Sequence, residues 1–145
     1  MINELKEKYF NLNDIKIYAK EIGEGPLVIM VHGWPESWYS WRHQLKPIAD
    51  LGYKVLAIDV RGYGQSSKPY EVEQYDMLSL VGDIINIIDA ENKENAILIG
   101  HDWGAPICWT AAALHPNKIK AVVGLSIPHA IRGSISNIEL WRQIY

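Results

Sequence analysis

Four runs of almost uninterrupted apolar residues constrain this chain most: Pro26–His32, Tyr53–Asp59, Asn95–Gly100 and Ile119–Ser126. A strand with one face in water alternates apolar with polar residues. A strand covered on both faces does not, so runs of this kind indicate a parallel sheet between layers of helix. The segments between them, Trp38–Ala49, Met77–Glu91 and Ala105–Leu114, carry apolar residues at helical spacing. Gly52 follows the first, where a left-handed helix end belongs. His115-Pro116 closes the third, because proline disfavours a helical residue before it. Upstream, Tyr9–Asn11 and Ile15–Ile22 flank Asn13-Asp14 and predict an antiparallel hairpin. The order β-β-β-α-β-α-β-α-β defines an α/β chain with right-handed crossovers.

At 145 residues the chain is about one domain. Its net charge of -3 gives no electrostatic attraction toward nucleic acid or an anionic membrane, so neither is an expected partner. Cys108 is the only cysteine, which excludes an intrachain disulfide. The opening MINELKEKYF lacks an apolar signal core, and runs such as Leu27–Val31 are too short to span a bilayer. A cytoplasmic location is the expectation. None of the five histidines has metal-site spacing, and Cys108 has no partner, so no metal is expected. Trp34, Trp38, Trp41 and Trp103 cluster in or beside the motifs below. Two roles are open to them, packing of the core or walls of an apolar pocket.

In sheets of this class the ligand site lies at the carboxyl ends of the strands. Those ends carry His32-Gly33-Trp34-Pro35, Asp59–Gly64, Gly100–Gly104 and Ser126–His129, which should share one rim. Gly100-His101-Asp102-Trp103-Gly104 stands where a strand passes into a helix, the G-x-nucleophile-x-G pattern of a nucleophile elbow with aspartate at its centre. Small residues two positions either side let strand and helix approach, and the helix N-terminus favours a carboxylate. Asp102 is therefore expected to be ionised at neutral pH. The competing reading is a simple N-cap of the following helix. A carboxylate nucleophile needs no base to activate it and suits displacement at a saturated carbon, forming an ester with the enzyme. Hydrolysis of that ester calls for a histidine–acid pair. His32-Gly33-Trp34-Pro35 occupies the place of the loop that supplies the second oxyanion N–H, which assigns the Trp34 and Trp103 backbone N–H groups to that role. For Asp59–Gly64 an anion site competes with the favoured reading, in which Asp59 and Arg61 tie the rim loops together.

Taken together, the motif from His32-Gly33-Trp34-Pro35 to Trp41-Arg42, the motif Asp59-Val60-Arg61-Gly62-Tyr63-Gly64 and the elbow closely resemble the soluble epoxide hydrolases of the α/β-hydrolase superfamily. The resemblance runs from about Phe10 to Pro128. It implies an α/β-hydrolase fold, mostly parallel with helices on both faces. It also implies hydrolysis of a small apolar epoxide by water to a vicinal diol, with no cofactor. Asp102 would be the nucleophile, with the Trp34 and Trp103 N–H groups as oxyanion hole. His32, Gly33, Pro35, Trp38, His101 and Pro128 would line or support the pocket, with Pro35 in a cis peptide and His101 buttressing the elbow. On the same basis residues 1–130 form the N-terminal half of the core domain and 131–145 begin a lid. The family's lid tyrosines, acid and catalytic histidine find no match here, and the sheet should lack its last strands. This chain alone is then expected to be inactive, with the remaining C-terminal half of the enzyme, or self-association, as its partner. Two alternatives stay open. One is a haloalkane dehalogenase-type hydrolase, with the Trp103 indole on a leaving halide. The other is a non-catalytic, truncated, hydrolase-like binding module.

Overall fold

The computed structural model describes residues 4–129. Six strands form one sheet: β1 (Lys6–Leu12), β2 (Ile15–Ile22), β3 (Leu27–Val31), β4 (Lys54–Ile58), β5 (Ala96–His101) and β6 (Ile119–Leu125). Their order across the sheet is β1-β2-β4-β3-β5-β6. β1 and β2 pair antiparallel through the expected hairpin, with Asn13 in the left-handed region at φ 54°. β2 meets β4 antiparallel, and every later pairing is parallel. This is the expected α/β-hydrolase architecture.

β3 is buried along its whole length, and its alternation divides the core in two. Val28 and Met30 face Trp41, Leu45, Val55 and Ala57 on one side. Leu27, Ile29 and Val31 face the other, where α2 (Met77–Ala90) and α3 (Gly104–Leu114) pack through Ile84, Ile87, Ile88, Ile107 and Ala111. Asp76 caps α2 by accepting from the Ser79 N–H at 2.6 Å.

Two expectations need correction. The single helix expected over Trp38–Ala49 is a 3-10 turn at Trp38–Trp41 followed by the short α1 (Leu45–Ala49). Pro47 accounts for the break, since its ring would clash with the His43 carbonyl of a continuous helix. Ser37 and Asp59 also take the N–H groups of Tyr39 and Trp38, which starts the 3-10 turn independently. The second correction concerns β6, read as buried on both faces. Ile119 is buried, but Val123 and Leu125 are 46% and 42% exposed. α3 covers one face of β6, and nothing among the described residues covers the other or pairs with its outer edge. Gly52 has φ +87° and closes α1 as expected. The expected lid start at 131–145 lies outside the described residues.

Candidate active site

The elbow is built by steric exclusion. Asp102 has φ 50°, a left-handed conformation that costs a non-glycine residue about 1–3 kcal/mol and persists only when its surroundings impose it. A Cβ on Gly100 would strike the Gly104 carbonyl, and one on Gly104 would strike the Val31 carbonyl. Only glycines let β5, β3 and the first turn of α3 come this close. A Cβ on Gly33 would lie 2.5 Å from the Asp102 Cβ and 2.7 Å from its Oδ1, so the loop after β3 presses directly on this side chain.

The Trp34 N–H donates to Asp102 Oδ1 at 3.0 Å, across 68 positions of sequence. Its N–H first, then that of Trp103, holds the Asp102 carboxyl below the ordinary carboxylate range. Burial opposes them, and His101 adds a smaller attraction. An ionised Asp102 at neutral pH follows. The simple N-cap reading does not describe this side chain, because Trp103 stands at the cap of α3 and Asp102 reaches across to the neighbouring loop.

Around Asp102 the rim loops are fixed to one another. His32 is buried; its Nε2 accepts from the Val60 N–H at 2.9 Å, so its Nδ1 carries the proton donated to the Gly33 carbonyl at 2.8 Å. Burial pushes the His32 imidazole below the usual histidine range and keeps it neutral. Glu36 accepts from the Gly33 N–H and lies 3.3 Å from His101 Nδ1, which gives His101 its place behind the elbow. Pro35 follows a cis peptide. Asp59 accepts from the N–H groups of Trp38 and Gln65, both at 2.8 Å. Arg61 donates to both Asp83 oxygens at 2.9 and 2.7 Å and to the Gln74 carbonyl at 2.7 Å. Its guanidinium is thereby occupied, which agrees with the structural reading of this loop and leaves little for an anion.

A cavity of about 210 Å³ opens between these loops, lined mainly by Gly33, Val60, Tyr63, Tyr75, Leu80 and Trp103. His32, Arg61 and Ile107 complete its lining. Of the four clustered tryptophans, Trp103 alone is on its wall. Trp41 is buried in the second core cluster and Trp38 packs against that cluster. Trp34 is 65% exposed, and its backbone N–H is the part that reaches Asp102. Pro128 is exposed and is not among the residues that line this cavity; the neighbouring Ile127 carbonyl accepts from the Trp109 indole at 3.1 Å. The sequence reading missed Tyr63, Tyr75 and Glu36. Tyr63 and Glu36 stand inside the quoted motifs, but their partners are distant in sequence. No cluster of three metal-ligating side chains occurs among the described residues.

The chain belongs to the α/β-hydrolase fold family, whose model matches residues 26–144. Among its relatives, epoxide hydrolase B of Mycobacterium tuberculosis is 54% identical over 112 residues, 77% of this chain and 32% of that protein. Epoxide hydrolase 3 of Siraitia grosvenorii is 41% identical over 145 residues, 99% of this chain and 46% of that protein. The crystal structure of an epoxide hydrolase from Vigna radiata superposes with a TM-score of 0.88 at 39% identity, covering 100% of this chain and 47% of that one. The chain thus spans less than half the length of each of these three. No helix among the described residues is long and apolar enough to cross a membrane.

Proposed function

We propose that this chain is the nucleophile-bearing half of an epoxide hydrolase. Asp102 attacks an epoxide carbon, the carbon–oxygen ring bond breaks, and the ring oxygen leaves as an alkoxide that takes up a proton from solvent. The product is an ester of Asp102. Water then adds to the ester carbonyl, giving up a proton to solvent, and the Trp34 and Trp103 N–H groups hold the resulting oxyanion. Collapse of that intermediate returns the carboxylate and releases a vicinal diol. The observation that carries this reading is the Trp34 N–H on Asp102 Oδ1, at an ionised carboxylate beside an apolar-walled cavity. The epoxide hydrolases among its relatives support the choice of substrate class.

The isolated chain stops at the ester. Both ring nitrogens of His32 are engaged, and His101 faces Glu36, so neither is placed to activate the hydrolytic water. Intact mass spectrometry after exposure to styrene oxide tests this. The expected result is one added epoxide mass, mapped to Asp102 and absent from Asp102→Asn, with no sustained diol release. An unmodified Asp102, or an adduct that persists in Asp102→Asn, would overturn the proposal; sustained turnover would overturn the arrest.

A further inference from the structure

Two tyrosines stand on the cavity wall, and their hydroxyl groups are placed differently. Tyr75 donates to the Pro69 carbonyl at 2.7 Å, so its hydroxyl serves the loop. Tyr63 is held by other parts of the residue. Its N–H donates to the Val60 carbonyl at 2.9 Å, and its ring meets the His32 imidazole edge to face at 5.1 Å between centroids. Val60 in turn is fixed by His32. The hydroxyl itself takes no part in this bracing, and the ring shares the cavity wall with Gly33 and Trp103, which flank Asp102.

We propose that Tyr63 is a ligand-contacting residue, whose hydroxyl donates a hydrogen bond to an oxygen of a small, mostly apolar ligand in the cavity beside Asp102. Val60, Leu80, Ile107 and Trp103 give the cavity an apolar lining, and its polar side chains His32, Arg61 and Tyr75 are each engaged with protein groups, so an orienting hydrogen bond to a ligand falls to the Tyr63 hydroxyl. Partial burial, and then the negative charge of Asp102, raise the Tyr63 phenol above its ordinary value. A phenol so placed holds its proton across the whole neutral range and serves as a neutral donor. Its part is to orient an oxygen-bearing ligand against the carboxylate. The inference rests on the proposed function only in taking this cavity as the ligand's place.

The test compares acetophenone with ethylbenzene, two probes of similar shape of which one carries a carbonyl acceptor. Binding to the wild-type chain and to Tyr63→Phe is followed by tryptophan fluorescence. Tyr63→Phe keeps the ring that packs on His32. It is expected to weaken acetophenone about three- to tenfold, the range of one neutral hydrogen bond, and to leave ethylbenzene within about twofold. The carbonyl stretch of bound acetophenone gives a second readout, and it should lie at lower frequency in the wild-type chain than in Tyr63→Phe. Equal weakening of both probes with an unshifted carbonyl, or no change in either, would overturn the inference. Ester formation at Asp102 without this selectivity defeats the inference alone. The selectivity without an ester defeats the proposed function alone.

Discussion

Cutting the Arg61–Asp83 pair tests how the cavity wall is held. Both residues are buried, at 8% and 5% exposure. Arg61 binds both carboxylate oxygens, and its remaining arm holds the Gln74 carbonyl, beside the cavity residue Tyr75. Asp83→Leu removes two charge-assisted hydrogen bonds, each about 1.5–3 kcal/mol, and leaves a guanidinium buried with one carbonyl acceptor. Breaking a buried pair from one side costs about 3–5 kcal/mol, so a loss of about 4 kcal/mol is expected. That is a large share of the roughly 5–15 kcal/mol that holds a domain of this kind together. In urea, with a slope of about 2 kcal/mol/M, the midpoint should fall by about 2 M. The double variant Arg61→Met/Asp83→Leu removes both charges and should return to within about 1 kcal/mol of the wild type. A single variant costing under about 1 kcal/mol, or a double variant as unstable as the two singles summed, would refute the reasoning.

Three further outcomes follow from the geometry. Gly104→Ala places a Cβ against the Val31 and His32 carbonyls and should destabilise by about 3 kcal/mol or more, read as a lower urea midpoint; an unchanged midpoint would deny the close approach. His32 has a folded-state value below its ordinary 6.5, so the unfolded chain takes up the proton first. The neutral imidazole's contribution is therefore complete above about pH 6.5 and lost as the pH falls below it, and His32→Gln should flatten that part of the stability profile. Burial pushes the Cys108 thiol up to about 12, so an aromatic disulfide reagent should leave it untouched in the native chain and modify it fully in denaturant.

Strands β3, β4 and β5 were legible because their apolar runs are complete, and the elbow because two glycines and an aspartate in fixed spacing force one turn. α1 was not, since helical spacing in Trp38–Ala49 does not register how Pro47 and the distant Asp59 divide it. β6 reads like its neighbours because its composition is the same, yet its exposure depends on what lies alongside. At the site, Asp102, Trp34 and His32 could be named from order along the chain. The cavity wall could not. Tyr75 reaches it through the 3-10 turn Val72–Tyr75 and the Arg61 bond to Gln74, contacts that leave no periodic trace. Glu36 stands in a recognised motif, but its bond to His101 spans 65 positions.

The Gly33 carbonyl and the Trp34 N–H belong to one peptide unit, and a trans peptide sets them on opposite sides of a rigid plane. His32 Nδ1–H and the Glu36 N–H both grip the oxygen of that plane, at 2.8 and 3.1 Å. Its N–H is thereby aimed at Asp102 before any ligand arrives, and two donors on the oxygen polarise the amide into a stronger donor itself. A quarter-turn of this one plane would swing the donor off its target while every side chain stayed put. The accuracy of the aim is therefore a property of a single amide and the imidazole behind it.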